Sequence, residues 1–171
     1  IQDRRMYARL DRETQTLTLY YGTNYQESDY GISNLIARPL WKTPAERREI
    51  KTVVFDESFK DARPKNCETW FWCFEALTTI EHLDYLNTSE VDDMYSMFSN
   101  CTSLETLDLS SFNTEKVTSM ATMFEKSKNL RSIKLPKGFI GSSVTNLYAM
   151  FRGCESLTEL DLSSSNAEKV T

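Results

Sequence analysis

The chain repeats itself, and that periodicity limits its fold more than any other feature. Pro64-Lys65-Asn66-Cys67-Glu68-Thr69-Trp70-Phe71, Val91-Asp92-Asp93-Met94-Tyr95-Ser96-Met97-Phe98, Val117-Thr118-Ser119-Met120-Ala121-Thr122-Met123-Phe124 and Val144-Thr145-Asn146-Leu147-Tyr148-Ala149-Met150-Phe151 share one pattern. Their phenylalanines fall 27, 26 and 27 residues apart. Six residues after each comes Leu77, Leu104, Leu130 or Leu157, and nine after comes Ile80, Leu107, Ile133 or Leu160. A unit this short cannot bury its own apolar side, so copies must stack into one continuous core.

Within a unit the apolar period changes. Met94, Met97 and Phe98 stand at i, i+3 and i+4, as do Met120, Met123, Phe124 and Leu147, Met150, Phe151. That spacing predicts a helix of about two turns. Asp92, Thr118 and Thr145 precede it, where a side-chain oxygen can accept the free N–H groups of a first turn, so they read as N-caps. The period then drops to two in Leu107-Asp108-Leu109, Ile133-Lys134-Leu135 and Leu160-Asp161-Leu162, as in a short strand. The expected fold class is α/β: a leucine-rich-repeat solenoid with one short parallel strand and one short helix per unit.

Residues 1–49 are expected to cap it. Tyr7-Ala8-Arg9-Leu10 and Thr16-Leu17-Thr18-Leu19-Tyr20-Tyr21, around the polar stretch 11–15, predict a β-hairpin. Thr43-Pro44-Ala45-Glu46 predicts a helix start, with Thr as cap, Pro in the first helical position and Glu returning the bond. Val53-Val54-Phe55 is the expected first strand of a repeat region over 50–171, about four and a half units long. Residues 166–171 restate Asn113 to Thr118 except at one position, which predicts an array cut mid-unit, with residues 163–171 frayed or packed end to end on a neighbouring chain.

Composition narrows the function classes. Nine Phe, eight Tyr and three Trp against five Gly and four Pro argue for a folded chain. Residues 1–51 carry nine Lys/Arg and seven Asp/Glu, and residues 52–171 eleven and eighteen, which gives the net charge of −5. An acidic body without a basic stripe argues against nucleic acid as partner, and no apolar run approaches the roughly 20 residues of a membrane-spanning helix.

Leu107-Asp108-Leu109-Ser110-Ser111-Phe112-Asn113-Thr114, followed by Val117-Thr118-Ser119-Met120 and Met123-Phe124, resembles the repeat of BspA-like leucine-rich-repeat surface proteins of gut and oral bacteria. The likeness covers residues 50–171, and the lead-in through Val53-Val54-Phe55-Asp56-Glu57-Ser58-Phe59 is similar too. It implies export, display at the cell surface and, for some members, adhesion to host proteins. Two departures stand out. Residues 133–141 lack the Asn-Thr turn, and Ser127 replaces the Cys found at Cys101 and Cys154, so the third unit is expected to carry a different loop.

Several residues invite sharper chemistry. The five repeat methionines suggest soft-metal ligation, but each sits on the face that must be buried, so they read as core. Cys101 and Cys154 should lie about 10 Å apart, two strand spacings, beyond the roughly 7 Å a disulfide tolerates; Cys73 with Cys101 is the one plausible pairing. No metal site and no cofactor is expected. His82 is the sole histidine and has no nucleophile beside it. Asp108 and Asp161 could serve as a glycosidase pair, except that Lys134 should stand between them. Asn87 and Asn113 read as turn residues, and Asn87-Thr88-Ser89 also fits a glycosylation acceptor.

The expectation is therefore a noncatalytic, surface-displayed module binding host protein or glycan. A structural spacer, or an accessory part of a larger enzyme, is the alternative. The expected ligand platform is the concave sheet face with outward His82, Asp84, Asp108, Ser110, Lys134, Pro136, Asp161 and Ser163.

Overall fold

The computed structural model describes residues 3–33, 43–166 and 170. Strand β1 (Arg5–Asp11) and strand β2 (Thr16–Gly22) form the expected hairpin, paired antiparallel from Arg5 with Gly22 to Asp11 with Thr16. Its turn closes because the Asp11 carboxylate accepts the N–H groups of Glu13 and Thr14, while Gln15 takes a left-handed conformation (φ 54°) before the second strand. Strand β3 (Tyr30–Ile32) adds antiparallel to β1, and strand β4 (Thr52–Phe55) adds parallel to β2 with Leu17 opposite Val53 and Leu19 opposite Phe55. All four of these apolar side chains are fully buried. Strand β5 (Thr79–Glu81) continues the ladder, giving a five-stranded sheet in the order β3-β1-β2-β4-β5.

Helix α1 (Pro44–Glu49) begins where expected, with the Thr43 hydroxyl accepting the Glu46 N–H at 3.1 Å and Pro44 opening the first turn. Glu46 does not return the bond as a capping box would. Its carboxylate pairs with Arg12 of the hairpin turn and so ties the helix to the sheet.

The helices expected in the repeats are not there. Residues 67–74 form overlapping turns: Trp70, Trp72 and Phe74 donate their N–H groups to the carbonyls of Cys67, Thr69 and Phe71, three residues back. The alternate N–H groups leave the segment. Those of Cys67, Thr69, Phe71 and Cys73 donate to the carbonyls of Asp93, Tyr95, Met97 and Ser99 in the next unit, at 2.8–3.0 Å. Met94, Ser96, Phe98 and Asn100 do the same toward residues 119–125, and Met120, Thr122, Phe124 and Lys126 toward residues 146–152.

An α-helix would consume these donors internally, four residues back. Here they hold neighbouring units together instead. The cost is left-handed backbone at every fourth residue: Thr69 and Cys73, Ser96 and Asn100, Thr122 and Lys126, Ala149 and Gly153. A run of turns with this alternation still sends residues i, i+3 and i+4 inward, which is why the sequence imitates a helix. Cys67, Trp70 and Phe71, like Met94, Met97 and Phe98 and like Met120, Met123 and Phe124, are buried.

The supposed N-caps are corrected by one residue. Thr118 and Thr145 point their hydroxyls at the carbonyls of Asp92 and Thr118 in the preceding unit. The side chains that accept a local N–H two residues on are Asn66, Asp93, Ser119 and Asn146.

On the opposite side, strand β6 (Thr106–Asp108) pairs parallel with strand β7 (Ser132–Lys134), and Ser132 makes a single parallel bridge to Glu159. These two strands form a separate sheet, because β5 and β6 do not pair. The α/β leucine-rich-repeat solenoid expected from the sequence is therefore contradicted. The units contribute turns rather than helices, the strand ladder is interrupted, and the result is a small β-rich domain of sheet and coil.

Between the two faces runs one core. Phe71, Phe98, Phe124 and Phe151 lie in a file with ring centroids 5.4, 5.9 and 5.5 Å apart, the last three nearly coplanar in orientation. Each 27-residue spacing places its extra residue in left-handed backbone just after a strand, at His82 (φ 58°) and at Gly138 (φ 67°). The second of these accounts for the altered loop of the third unit. Of residues 163–171, those numbered 163–166 and 170 are described, with the Asn166 N–H bonded to the Ile140 carbonyl; residues 167–169 and 171 lie outside the described residues.

Candidate functional site

Short strands in register place equivalent residues in rows across the outer face. The β6–β7 ladder sets Thr106 opposite Ser132 and Asp108 opposite Lys134, and a bridge continues the first row to Glu159; Thr79 and Glu81 are the 27-residue equivalents of Thr106 and Asp108, on β5, which does not pair with β6. Asp108 stands directly opposite Lys134 in the β6–β7 ladder, and Asp161 follows two residues after the single Ser132–Glu159 bridge. Of the expected acid-base-acid row, the ladder brings Asp108 and Lys134 together, and all three of Asp108, Lys134 and Asp161 are exposed.

Ser110 and Ser163 have a local task. Both the N–H and the hydroxyl of Ser110 donate to one Asp108 carboxylate oxygen, at 2.9 and 2.6 Å, and the Ser163 N–H donates to Asp161 at 2.9 Å. These bonds hold each carboxyl below its ordinary range; for Asp108 the Ser110 bonds come first and the charge of Lys134 adds to them, and for Asp161 the Ser163 bonds dominate. Pro136 follows Lys134 half-buried.

His82 and Asp84 do not belong to the row. The extra residue at His82 breaks strict alternation, so the outward position equivalent to Asp108 is Glu81, which the sequence reading passed over. Counting 27 residues back from Asp108, as from Leu107 to Ile80, finds it. His82 instead caps a short 3-10 turn (Leu83–Tyr85) and stacks its ring on Tyr85 at 4.6 Å. Both His82 and Asp84 line a cavity of about 440 Å³, together with Ile80, Thr106, Asp108 and Ser110.

The other residues weighed for chemistry are structural. Met94, Met97, Met120, Met123 and Met150 are buried in the core. All four cysteines are free thiols, so the pairing of Cys73 with Cys101 is not made. Cys101 donates its S–H to the carbonyl of Phe71 and Cys154 donates to that of Phe124; burial pushes both thiols up in pKa, away from nucleophilic use. Asn87 accepts from Ser89 and Asn113 from the Glu115 N–H, as turn residues should. No helix among the described residues is long and apolar enough to cross a membrane.

Residues 65–171, the stacked units, match the family described as a Mycoplasma protein of unknown function, DUF285. The chain belongs to the DUF285 family. No curated protein matches it. Among solved structures it is similar to a leucine-rich repeat protein from Bacteroides ovatus, with 22% identity and a TM-score of 0.42, over 65% of this chain and 24% of that one. The DUF285 chain described here thus spans about a quarter of that protein's length, and a superposition this loose bears no argument about fold or function.

Proposed function

We propose that this chain is a noncatalytic binding module, displayed at a cell surface in the manner of the BspA-like proteins its repeat resembles, and that it captures protein or glycan on its outer strand face. The observation that carries the reading is the exposed pair of Asp108 and Lys134 on adjacent strands, with Asp108 lining an open cavity and Asp161 exposed in the unit beyond. Alternating charge on neighbouring strands gives a ligand fixed registers for its own charges.

Catalysis is a poorer use of these residues. A glycosidase pair needs one carboxylic acid kept protonated by a raised pKa. Asp108 and Asp161 are both shifted the opposite way, and Lys134 stands opposite Asp108.

The test is capture of extracellular-matrix proteins and a glycan array by the immobilised chain. Lys134→Ala, and Asp108→Asn and Asp161→Asn, which keep an acceptor for Ser110 and Ser163, should each weaken capture without moving the melting temperature. Capture indifferent to all three removes the site. No capture of any kind leaves the chain a spacer.

A further inference from the structure

The outer face has one discontinuity, and its chemistry defines a partner. β5 pairs with β4 and β6 with β7, yet β5 and β6 do not pair. Around this gap the two units remain joined. On the turn side the Phe71 N–H bonds the Met97 carbonyl. Where the chain leaves the strands, the Thr88 hydroxyl donates to the Asn113 carbonyl at 2.9 Å and accepts the Asn113 N–H at 2.8 Å. Only the strands part, around the cavity of about 440 Å³, which meets a second of about 460 Å³ at Asp84 and Ser111.

Ladder parity says what faces the gap. Arg131 donates to the Glu105 carbonyl and Leu109 to the Lys134 carbonyl, so the odd-numbered residues of β6 serve β7. In a parallel ladder the intervening Thr106 and Asp108 then turn their N–H and C=O groups toward β5. In β7 the central Ile133 donates onward to the Glu159 carbonyl, and Ile80 holds the same register in β5, so its peptide groups aim at β6. Two parallel open edges thus form opposite walls, and alternating donors and acceptors at strand spacing are met by another extended backbone. Asp84, in the turn after β5, and Asp108, on β6, are the carboxylates lining the first cavity, which no Lys or Arg lines; Lys60 lines the second, where it pairs with Glu57.

We infer that the gap between β5 and β6 receives an extended peptide segment bearing Lys or Arg, whose backbone bonds both open edges. The inference rests on the proposal that this face binds ligands, and it commits that face to a basic peptide rather than a glycan.

The experiment titrates the full chain with an extended peptide alternating Thr and Lys, its Glu counterpart, and a copy N-methylated along the backbone. Amide exchange is followed by NMR. The Lys peptide should bind and slow exchange at Ile80 and Thr106, with the Glu and N-methylated peptides about tenfold weaker or worse. Asp84→Asn with Asp108→Asn, which keeps the Ser110 acceptor, should weaken the Lys peptide about tenfold at unchanged melting temperature. Absence of binding, equal binding of the N-methylated copy, or saturation without protection of Ile80 and Thr106 overturns the inference. A matrix protein or glycan lost on Lys134→Ala and Asp161→Asn, but retained by the Asp84 and Asp108 pair of substitutions, overturns it while keeping the face as a binding surface.

Discussion

The hydroxyl of Ser127 donates to the carbonyl of Phe98 at 2.7 Å, and the same oxygen accepts the N–H of Cys101 at 3.1 Å. Ser127 therefore does for Phe98 what Cys101 does for Phe71 and Cys154 for Phe124. The substitution that looks like a break in the repeat preserves its chemistry: a small side-chain donor bonds the phenylalanine carbonyl of the preceding unit. Ser127→Ala leaves a buried carbonyl and a buried N–H without partners and should cost about 1–3 kcal/mol in urea unfolding at unchanged m-value. Ser127→Cys should cost less. Equal losses would mean that volume, not the bond, matters at this position.

The aromatic file carries the core. Phe124 is fully buried between the rings of Phe98 and Phe151. Phe124→Ala removes both contacts and leaves a cavity, so a loss of about 3–5 kcal/mol is expected, a large share of the stability of a domain this size. Phe124→Leu should be distinctly milder. Chemical denaturation of both variants checks this.

Backbone handedness gives a paired test. Ala149 is left-handed without being glycine (φ 50°), whereas Gly153 is left-handed (φ 78°) and a Cβ there would meet the Lys126 Cα at 3.2 Å. Ala149→Gly should be neutral or stabilising by up to about 1 kcal/mol, while Gly153→Ala should destabilise by about 1–2 kcal/mol or more. Were these segments helical, the order would reverse, since glycine costs about 1 kcal/mol inside a helix.

Acid titration should separate two carboxylates. Burial pushes Asp29 up, but the Arg9 guanidinium, bonded at 2.8 and 2.9 Å, and the Gln26 N–H more than offset it, leaving Asp29 below its ordinary 3.8. A depressed carboxylate contributes stability that is full above the ordinary value and lost as pH falls through the folded one. Asp29→Asn should therefore destabilise by about 1–3 kcal/mol near neutral pH, with the difference shrinking in acid. Asp93 is raised, by burial first and by its neighbour Asp92. Its charge disfavours folding above its folded pKa, and Asn stands at its equivalents Asn66 and Asn146. Asp93→Asn should stabilise by about 0.5–1 kcal/mol at neutral pH, a gain that vanishes below the ordinary carboxylate value. Melting curves across pH read both signs.

The legible part of this chain was its register. The 26- and 27-residue spacing of Phe71, Phe98, Phe124 and Phe151 implies the aromatic file, and Leu107-Asp108-Leu109 against Ile133-Lys134-Leu135 implies the pairing of Asp108 with Lys134. The turns are not legible as turns, because burial at i, i+3 and i+4 reports which side chains face inward and not where the N–H of Phe98 goes; here it goes to Met123 in the next unit. Strict alternation puts His82 on the outward row, but the residue inserted there breaks the alternation and leaves Glu81 as the equivalent of Asp108. The gap between β5 and β6 left no mark in composition or period, since an unmade strand pairing depends on how the two units diverge in space.

Residue-resolved amide exchange of the free chain tests the account most directly, because it asks where the backbone donors are spent. The N–H groups of Phe71, Phe98 and Phe124, bonded to carbonyls of the following units, should exchange slowly, while those of Ile80 and Thr106 should exchange fast. Ile80 and Thr106 protected as well as their neighbours would mean that β5 and β6 are paired and that no gap exists to be filled.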